Sequence, residues 1–258
     1  MLETRNLTVR FGGHVAVDAV SCTFRPGTLT AIVGPNGAGK TTYFNLISGQ
    51  LPASEGEVLL QGEEVGRLPV PLRVRRGLGR AFQLTQLFPH LTAQENVRLA
   101  VQARESGRHG GGFDLTRVWL DRRQWIEEAR SLLEAVRLLD KAHALASALP
   151  HGDQRKLEVA LLIALDPKVY MLDEPTAGMS VDEVPVILDL VRHLKQRREC
   201  AILLVEHKMD VVRELADRIV VLHNGRLVAD GEPGAVIASP VVQQAYLGMP
   251  PGAEARAA

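Results

Sequence analysis

The stretch Gly34-Pro-Asn-Gly-Ala-Gly-Lys-Thr41 decides the fold of this chain. Its outer glycines enclose four residues and are followed by lysine and threonine, which is the pattern of a phosphate-binding loop. The apolar run 29–33 precedes it and a helical pattern over 40–48 follows it, the strand–loop–helix order that such a loop needs. Glycines let backbone N–H groups turn toward phosphate oxygens, and the helix N-terminus adds positive potential. The sequence therefore predicts a nucleoside triphosphate site.

The loop positions have separate predicted functions. Lys40 reaches the β- and γ-phosphates, the Thr41 hydroxyl ligates Mg²⁺, and Thr42 supplies a further phosphate contact. The other loop residues are predicted to surround the phosphates: Gly34, Pro35, Asn36, Gly37, Ala38 and Gly39. The alternative, a glycine-rich turn that binds nothing, is disfavoured by the strand before the loop and the helix after it.

Two carboxylates follow the apolar run 169–172. Because a buried strand delivers the residues after it to the carboxyl edge of the sheet, Asp173 and Glu174 are expected beside the phosphate loop. Asp173 is predicted to hold Mg²⁺ through water, and Glu174 to polarise the attacking water as a general base. Two acids after a strand are by themselves usually a solvated strand end. The phosphate loop makes the catalytic interpretation the stronger one.

Composition excludes several classes of protein. Of the 258 residues 46% are hydrophobic, and 30 basic side chains balance 30 acidic ones, so no global attraction to nucleic acid or anionic membrane is expected. Cys22 and Cys200 are far apart, which argues against a disulfide framework and for a reducing cytosol. The longest apolar stretch, 157–165, is far shorter than the about 20 residues needed to span a bilayer. Any membrane association is therefore expected to be peripheral.

Strand and helix patterns alternate along most of the chain, which predicts an α/β fold with a mostly parallel sheet. Asn224-Gly225 between two apolar runs predicts a hairpin with a type I′ turn. The middle of the chain reads as helices, the first of which opens with a capping box at Thr92 and Glu95. We expect one domain over 1–258: an α/β core from 1–84 and 166–258, and a helical subdomain from 85–165.

The string Leu149-Pro-His-Gly-Asp-Gln154, which lies before a helix and upstream of Asp173, leads to a family. From Leu2 to Gly248 the sequence resembles ATP-binding-cassette proteins, whose signature Leu-Ser-Gly-Gly-Gln occupies this place. The resemblance implies a phosphate-loop ATPase core, an N-terminal antiparallel β-subdomain and a helical subdomain that carries the signature. It also implies that ATP and Mg²⁺ are bound and that ATP is hydrolysed.

The resemblance assigns further residues. Phe11 occupies the place of the aromatic side chain that stacks on adenine, and His207 that of the switch histidine that contacts the γ-phosphate. Gln83 matches the glutamine that joins the metal site to the transmembrane partner. Gly152 would offer a backbone donor to ATP bound by a second subunit. Taken singly, each of these residues also has an interpretation without a function. Phe11 would then belong to the core, Gln83 would lie on the surface, and His207 would cap a helix.

Finer strings resemble one importer branch, the subunits for branched-chain amino acids, urea and related amides. They are Phe11-Gly-Gly13, Leu87-Phe-Pro-His-Leu-Thr92, Glu174-Pro-Thr-Ala-Gly178, Leu204-Val-Glu-His-Lys-Met209 and Ala245-Tyr-Leu-Gly248. The branch implies an ATPase that powers uptake of branched-chain or other apolar amino acids, or urea and amides. The implied partners are a second ATP-binding subunit (a copy or a paralogue), integral membrane permeases and, indirectly, a solute-binding protein, but no nucleic acid. The implied location is the cytoplasmic face of the inner membrane.

The signature departs from the family pattern. Pro150, His151 and Asp153 replace its serine, first glycine and glutamine, and Ser180 stands where many members carry an aspartate. Proline has neither a side-chain donor nor an N–H, so the hydrogen bond of the signature serine to the partner's ATP is lost at Pro150. We therefore expect weakened but not absent support of the partner's site.

Two other functions are compatible with a phosphate loop alone. A soluble cassette protein of DNA repair or translation usually carries long coiled coils or two cassettes, and this sequence has neither, nor a basic face. A small-molecule kinase would need an acceptor site and a lid in place of the signature, Gln83 and His207. The joint order of the motifs favours the transport ATPase.

Overall fold

The computed structural model describes residues 1–81, 87–108 and 115–247, and the structural statements concern these residues. The strands are β1 (Leu2–Phe11), β2 (His14–Phe24), β3 (Leu29–Val33), β4 (Glu55–Leu60), β5 (Glu63–Glu64), β6 (Leu78–Ala81), β7 (Val169–Asp173), β8 (Ala201–Val205), β9 (Arg218–His223) and β10 (Arg226–Gly231). The helices are α1 (Lys40–Ser48), α2 (Val70–Arg76), α3 (Ala93–Arg108), α4 (Leu115–Ala135), α5 (His151–Leu165), α6 (Val184–Gln196), α7 (Met209–Leu215), α8 (Pro233–Ile237) and α9 (Pro240–Leu247).

The larger sheet has the order β10-β9-β3-β8-β7-β6 and is parallel except for the β9–β10 hairpin. Every residue of β3, β7 and β8 is buried, as expected for strands covered on both faces. Since these strands are parallel neighbours, the loops that follow them meet at one edge. The α/β prediction is confirmed, and this edge carries the phosphate loop, Glu174 and His207.

The smaller sheet is antiparallel, with the order β2-β1-β4-β5. Its inward side chains, among them Val17 and Phe24, form one hydrophobic cluster with Tyr43 and Phe44 of α1 and Leu203 of β8. The phosphate-loop helix is therefore packed between the two sheets. This sheet is the predicted N-terminal antiparallel β-subdomain.

The helical part is built on α3, which packs against α4 and α5. Its predicted capping box is present: Thr92 N–H donates to Glu95 Oε2 at 2.9 Å, and Glu95 N–H to Thr92 Oγ1 at 3.2 Å. Helix α4 ends at Ala135. Arg137 has a φ of 56°, in the left-handed region, and the chain leaves the helical path there. None of the described helices is both long enough and apolar enough to cross a membrane.

Helix α2 was missed by the sequence pattern because its apolar residues Leu72 and Val74 are exposed and give no periodic signal. The buried side chain of Arg73 stabilises it instead. Its guanidinium donates to four backbone carbonyls, those of Leu46, Ile47, Leu68 and Gly66. Arg73 therefore caps the C-terminal end of α1 and fixes α2 beside it.

The β9–β10 hairpin has the predicted type I′ turn, since Asn224 and Gly225 have φ values of 47° and 75°. The turn also supports the phosphate loop. Gly225 N–H donates to Ala38 O at 3.0 Å, while Gly225 O accepts Asp18 N–H at 2.8 Å. The hairpin thus joins the loop to β2.

Candidate active site

The phosphate loop requires glycine where the backbone is left-handed and crowded. Gly39, the residue before α1, has a φ of 95°, and a Cβ there would lie 2.5 Å from Ala16 O. A Cβ on Gly34 would lie 2.1 Å from Leu222 O. A side chain at either position would force the loop away from its supports, so these two glycines fix its shape.

Lys40 lies inside this loop. Its Nζ donates to Gly34 O at 2.7 Å and Pro35 O at 3.0 Å, and the residue is only 6% exposed. Burial lowers the pKa of Lys40, while the nearby negative charges of Glu174 and Asp173 act in the opposite direction. Thr41 and Thr42 follow in the first turn of α1 and are half-buried. The loop thus holds a cation and two hydroxyls at one helix start.

Asp173 ends β7 with its side chain fully buried. Arg80 Nη2 donates to its Oδ2 at 2.8 Å, whereas its Oδ1 has no hydrogen-bond partner within the described parts of the chain. Burial raises the pKa of the Asp173 carboxyl, against the opposing effect of Arg80. No sequence motif predicted a function for Arg80. The available signal was a basic residue near the end of a strand, at the edge where the site forms.

Glu174 and His207 meet across the edge of the sheet. His207 Nε2 lies 2.6 Å from Glu174 Oε1. Glu174 has a φ of 48°, and its N–H donates to Val205 O at 2.9 Å, which holds it in this left-handed conformation. The two residues are 33 positions apart in sequence and are brought together because β7 and β8 are parallel neighbours. The left-handed backbone turns the carboxylate toward the phosphate-loop edge.

Glu206 is a buried residue of the site that sequence reasoning missed. It is 3% exposed, its Oε1 accepts the Thr176 hydroxyl, and its Oε2 accepts His207 N–H at 2.9 Å. It therefore ties the loop after Glu174 to the backbone of His207. An acid directly after the fully apolar run of β8 was the signal that could have found it.

Phe11 lies at the end of β1, opposite His14 of β2, and is 50% exposed. An aromatic face open to solvent is suited to stacking on a base. The possibility that Phe11 belongs to the core is therefore wrong. Gln83, the predicted metal and partner residue, lies outside the described residues.

The altered signature forms the start of α5. Pro150 is its N-cap residue, without a side-chain cap, and its carbonyl accepts Gln154 N–H at 2.9 Å. Gly152 is buried, and a Cβ on it would lie 2.4 Å from Glu183 Oε2. His151 approaches the loop after Glu174, since a Cβ on Gly178 would lie 3.0 Å from its Cδ2. This start therefore packs closely against its own chain.

Asp153, which replaces the signature glutamine, lies between two cations. Its Oδ2 accepts Lys141 Nζ at 2.5 Å and its Oδ1 accepts Lys156 Nζ at 2.9 Å. Lys156 Nζ also donates to Glu183 Oε1 at 2.8 Å, and Glu183 Oε2 accepts the Ser180 hydroxyl at 3.0 Å. The hydrogen bond from Lys156 is the main cause that lowers the pKa of Glu183. Glu183 thus connects Ser180 to α5, by a hydrogen bond to the serine and an ion pair with Lys156.

Magnesium fits the residues at this edge. Asp173 Oδ1 is a buried carboxylate oxygen without a partner in the described structure, and the Thr41 hydroxyl lies on the phosphate-loop helix. Oxygen donors of this kind are what Mg²⁺ prefers, and in nucleotide sites it takes only one or two of them from protein, the rest from phosphate and water.

A phosphate loop after β3, an aspartate and a glutamate at the end of β7, and a histidine just after β8, the strand between these two, define a phosphate-loop nucleoside triphosphatase. Residues 17–177 match the family described as ABC transporter. Over 250 residues the chain is 38% identical to the "High-affinity branched-chain amino acid transport ATP-binding protein BraF" of Pseudomonas aeruginosa, covering 96% of this chain and 98% of that protein. The chain belongs to the ABC transporter family, as an ATP-binding ATPase subunit.

Solved structures agree with this assignment. The ADP conformation of MJ1267, an ATP-binding cassette of an ABC transporter, superposes with a TM-score of 0.78 at 28% identity, over 96% of this chain and 99% of that chain. The dimeric post-hydrolysis state of the ATP-binding cassette MJ0796, bound to ADP and Pi, gives 0.77 at 25% identity, over 90% and 99%. The predicted fold class is confirmed.

Proposed function

We propose that this chain binds ATP with Mg²⁺ and hydrolyses it to power import of branched-chain or other apolar amino acids through separate membrane permeases. One observation carries the ATPase part of the proposal: the Glu174–His207 pair lies at the same sheet edge as the loop that surrounds Lys40. The name of BraF, a branched-chain amino acid transport protein, supports the solute class.

The loop residues 34–42 would bind the triphosphate, with Lys40 Nζ exchanging its two backbone carbonyls for phosphate oxygens. Thr41 and Asp173 would hold Mg²⁺, together with Gln83 at the position that the family pattern assigns to the metal site. The metal would supply charge neutralisation between the phosphates. Phe11 would stack on the adenine.

Hydrolysis would proceed by attack of water on the γ-phosphorus, with the bond to the ADP oxygen breaking. Glu174 would accept the proton of that water. His207 orients the Glu174 carboxylate through the 2.6 Å contact and would donate to the γ-phosphate from a neighbouring position. Glu206 would hold His207 and the loop after Glu174 in place, through its buried hydrogen bonds to His207 N–H and the Thr176 hydroxyl.

The functional unit would be a dimer with a copy or a paralogue of this chain. Gly152 and the N-terminus of α5 would complete the site of the partner, because a helix start offers N–H donors and positive potential to phosphate. The dimeric state of the cassette MJ0796 supports this arrangement. A closed dimer would form on ATP binding and reopen after hydrolysis.

We further propose that residues 85–165 form a subdomain that receives a cytoplasmic loop of the permease, and that the chain is peripheral at the cytoplasmic face of the inner membrane. Phe88 is 55% exposed and Leu145 is 46% exposed, and their segments are joined by hydrogen bonds such as Ser147 N–H to Pro89 O at 3.1 Å. Two exposed apolar side chains on adjacent segments are suited to protein contact. A solute-binding protein would act only indirectly.

The test of the catalytic assignment is Glu174→Gln in the assembled transporter. The amide retains the shape of the side chain but cannot accept the proton, so ATP binding should persist while turnover falls about 10² or more. Glu199→Gln is a matched control, since Glu199 is exposed beside the opposite end of β8. Unchanged turnover in Glu174→Gln would show that another residue is the base.

The solute class is tested by uptake in cells that lack this subunit, with a panel of labelled solutes. Loss of leucine, isoleucine and valine uptake, restored by the wild-type chain but not by Glu174→Gln, is expected. Loss of urea or amide uptake alone would move the assignment within the same importer branch. If only sugar or metal uptake were lost, the solute assignment would be wrong.

A further inference from the structure

Arg80 is a buried cation between the phosphate-loop helix and the carboxylate of Asp173. Its side chain is 5% exposed, and its Nη2 donates to Asp173 Oδ2 at 2.8 Å. Its Nη1 donates to three oxygens at or just beyond the end of α1: Asn45 Oδ1 at 2.7 Å, Ser48 Oγ at 2.9 Å and Gln50 Oε1 at 3.1 Å. The guanidinium also lies 5.5 Å from the centroid of the Phe44 ring. Its position is therefore fixed from several sides.

We propose that Arg80 is a positioning residue that acts as the built-in counter-ion of Asp173, and that it thereby sets how strongly ATP binding depends on Mg²⁺. Without metal, Arg80 balances the charge of the carboxylate. With metal bound, Mg²⁺ balances the same charge and Arg80 is no longer needed for it. This inference rests on the proposed nucleotide site.

The first support is the environment of Asp173. Its side chain is fully buried, and a buried carboxylate without a counter-charge is strongly unfavourable. Arg80 is the basic group that contacts it directly, while the ammonium of Lys40 is directed to the carbonyls of Gly34 and Pro35. Among the described residues, Oδ2 has a hydrogen-bond partner and Oδ1 has none, which leaves Oδ1 to a metal or its water.

The second support is the negative charge that the nucleotide and the carboxylates share at this edge of the sheet. A metal-free triphosphate carries several negative charges and would enter an edge that already holds Asp173 and Glu174. Arg80 offsets one of these carboxylates. Removing its charge should therefore weaken metal-free ATP binding, since an added unit charge a few ångströms away in a partly buried site changes affinity by about tenfold or more.

With Mg²⁺ present the effect should be small or reversed. The metal and the guanidinium neutralise the same carboxylate, so each reduces the benefit of the other. Loss of Arg80 should therefore increase the coupling between ATP and Mg²⁺, and by linkage ATP should raise the Mg²⁺ affinity by the same factor.

A purely structural function gives a different result. Arg80 joins β6, β7 and α1, and loss of such a brace would weaken ATP binding to the same extent with and without metal. Whether the loss of ATP affinity depends on Mg²⁺ therefore distinguishes a counter-ion function of Arg80 from a purely structural one.

The experiment is calorimetric titration of the purified chain with ATP, once in EDTA and once in excess Mg²⁺. For Arg80→Gln the ratio of the two dissociation constants should rise about tenfold over that of the wild type, mainly through weaker binding in EDTA. Arg80→Lys keeps the charge and should retain a ratio close to that of the wild type. Arg73→Gln is the matched control: Arg73 is a buried arginine that donates to backbone carbonyls, and its loss should leave the ratio unchanged.

Asp173→Asn tests the idea even if Arg80→Gln fails to fold. It leaves the positive charge of Arg80 unbalanced, so ATP should bind more tightly in EDTA than to the wild type. Arg80→Gln combined with Asp173→Asn restores a neutral pair and should return ATP binding in EDTA to within about threefold of the wild type. Equal losses in both buffers for Arg80→Gln, or no tighter binding by Asp173→Asn, would overturn the proposal. Failure of the wild type to bind ATP in either buffer would instead overturn the nucleotide site itself.

Discussion

At the scale of single residues, the site depends on side chains whose charge is partly or fully buried. Lys40, Asp173 and Glu206 are each less than a tenth exposed. Each has a defined partner: the loop carbonyls, Arg80, and Thr176 with His207 respectively. Charged groups removed from water are maintained only when they are paired or have a ligand to bind. These residues are therefore the ones whose substitution should be most informative.

Lys40→Ala should weaken ATP binding by at least about tenfold, because a charge-assisted contact to the phosphates contributes about 1.5–3 kcal/mol. The measurement is ATP titration in Mg²⁺, with thermal unfolding to show that the chain is folded. Lys168→Ala removes the same charge from an exposed position beside the opposite end of β7 and should bind ATP normally. Near-normal ATP affinity in Lys40→Ala would disprove the phosphate-loop assignment.

At the scale of elements, α5 combines two functions at its start. Gly152 allows the close approach of Glu183, and Lys156 joins that glutamate to Asp153. The loop after Glu174 is thereby attached to α5, the helix proposed to complete the partner's site. The replacements in the signature are thus accommodated inside the chain, and Asp153 has two lysines as partners.

Pro150→Ser should raise turnover at the partner's site several-fold. The serine restores a hydroxyl donor where Pro150 has none, and a hydrogen bond from a neutral donor contributes about 0.5–1.5 kcal/mol, somewhat more to a charged phosphate. The assay pairs this change with Glu174→Gln, so that the remaining ATPase activity of a heteromeric transporter reports the site completed by Pro150. Pro150→Ala is the control, since it removes the ring without adding a donor. No increase, or a decrease, would mean that the N-terminus of α5 already supplies what is needed.

At the scale of the whole molecule, α1 packs between the two sheets, and the helical part has a hydrophobic cluster of its own with the larger sheet. One hydrophobic cluster joins α1 to both sheets, and another extends from α3–α5 to the sheet through Tyr170 and Leu172. Each core thus contains strand β7, whose residues 170 and 172 point to one face and 169 and 171 to the other. Both hydrophobic clusters therefore fix β7, the strand that ends in Asp173.

The purified chain should be a weak ATPase whose turnover per chain rises with protein concentration. The physical reason is the proposed shared site: Gly152 and the start of α5 would serve the site of a second subunit, so an isolated chain would have an incomplete site. ATPase rates over a dilution series, with sedimentation in parallel, test this. Glu174→Gln with ATP should shift the sedimentation toward dimer. Full-rate hydrolysis by a proven monomer would contradict the shared site.

The sequence by itself determined the class of fold and most of the candidate site. The phosphate loop, the run ending in Asp173-Glu174 and the Asn224-Gly225 turn depend on local requirements: glycine where φ is positive, and apolar runs that must be buried on both faces. Such requirements involve neighbouring positions only. These local features can therefore be recognised from the sequence alone.

Only the tertiary structure decided which distant polar groups meet. The pairing of Arg80 with Asp173 spans 93 positions, and that of Glu174 with His207 spans 33. Helix α2, fixed by Arg73 on the carbonyls of α1, has no periodic apolar signal. These contacts arise from strand order and packing, because a side chain at the end of one strand can reach whichever strand lies beside it. No pattern along the chain specifies that neighbour.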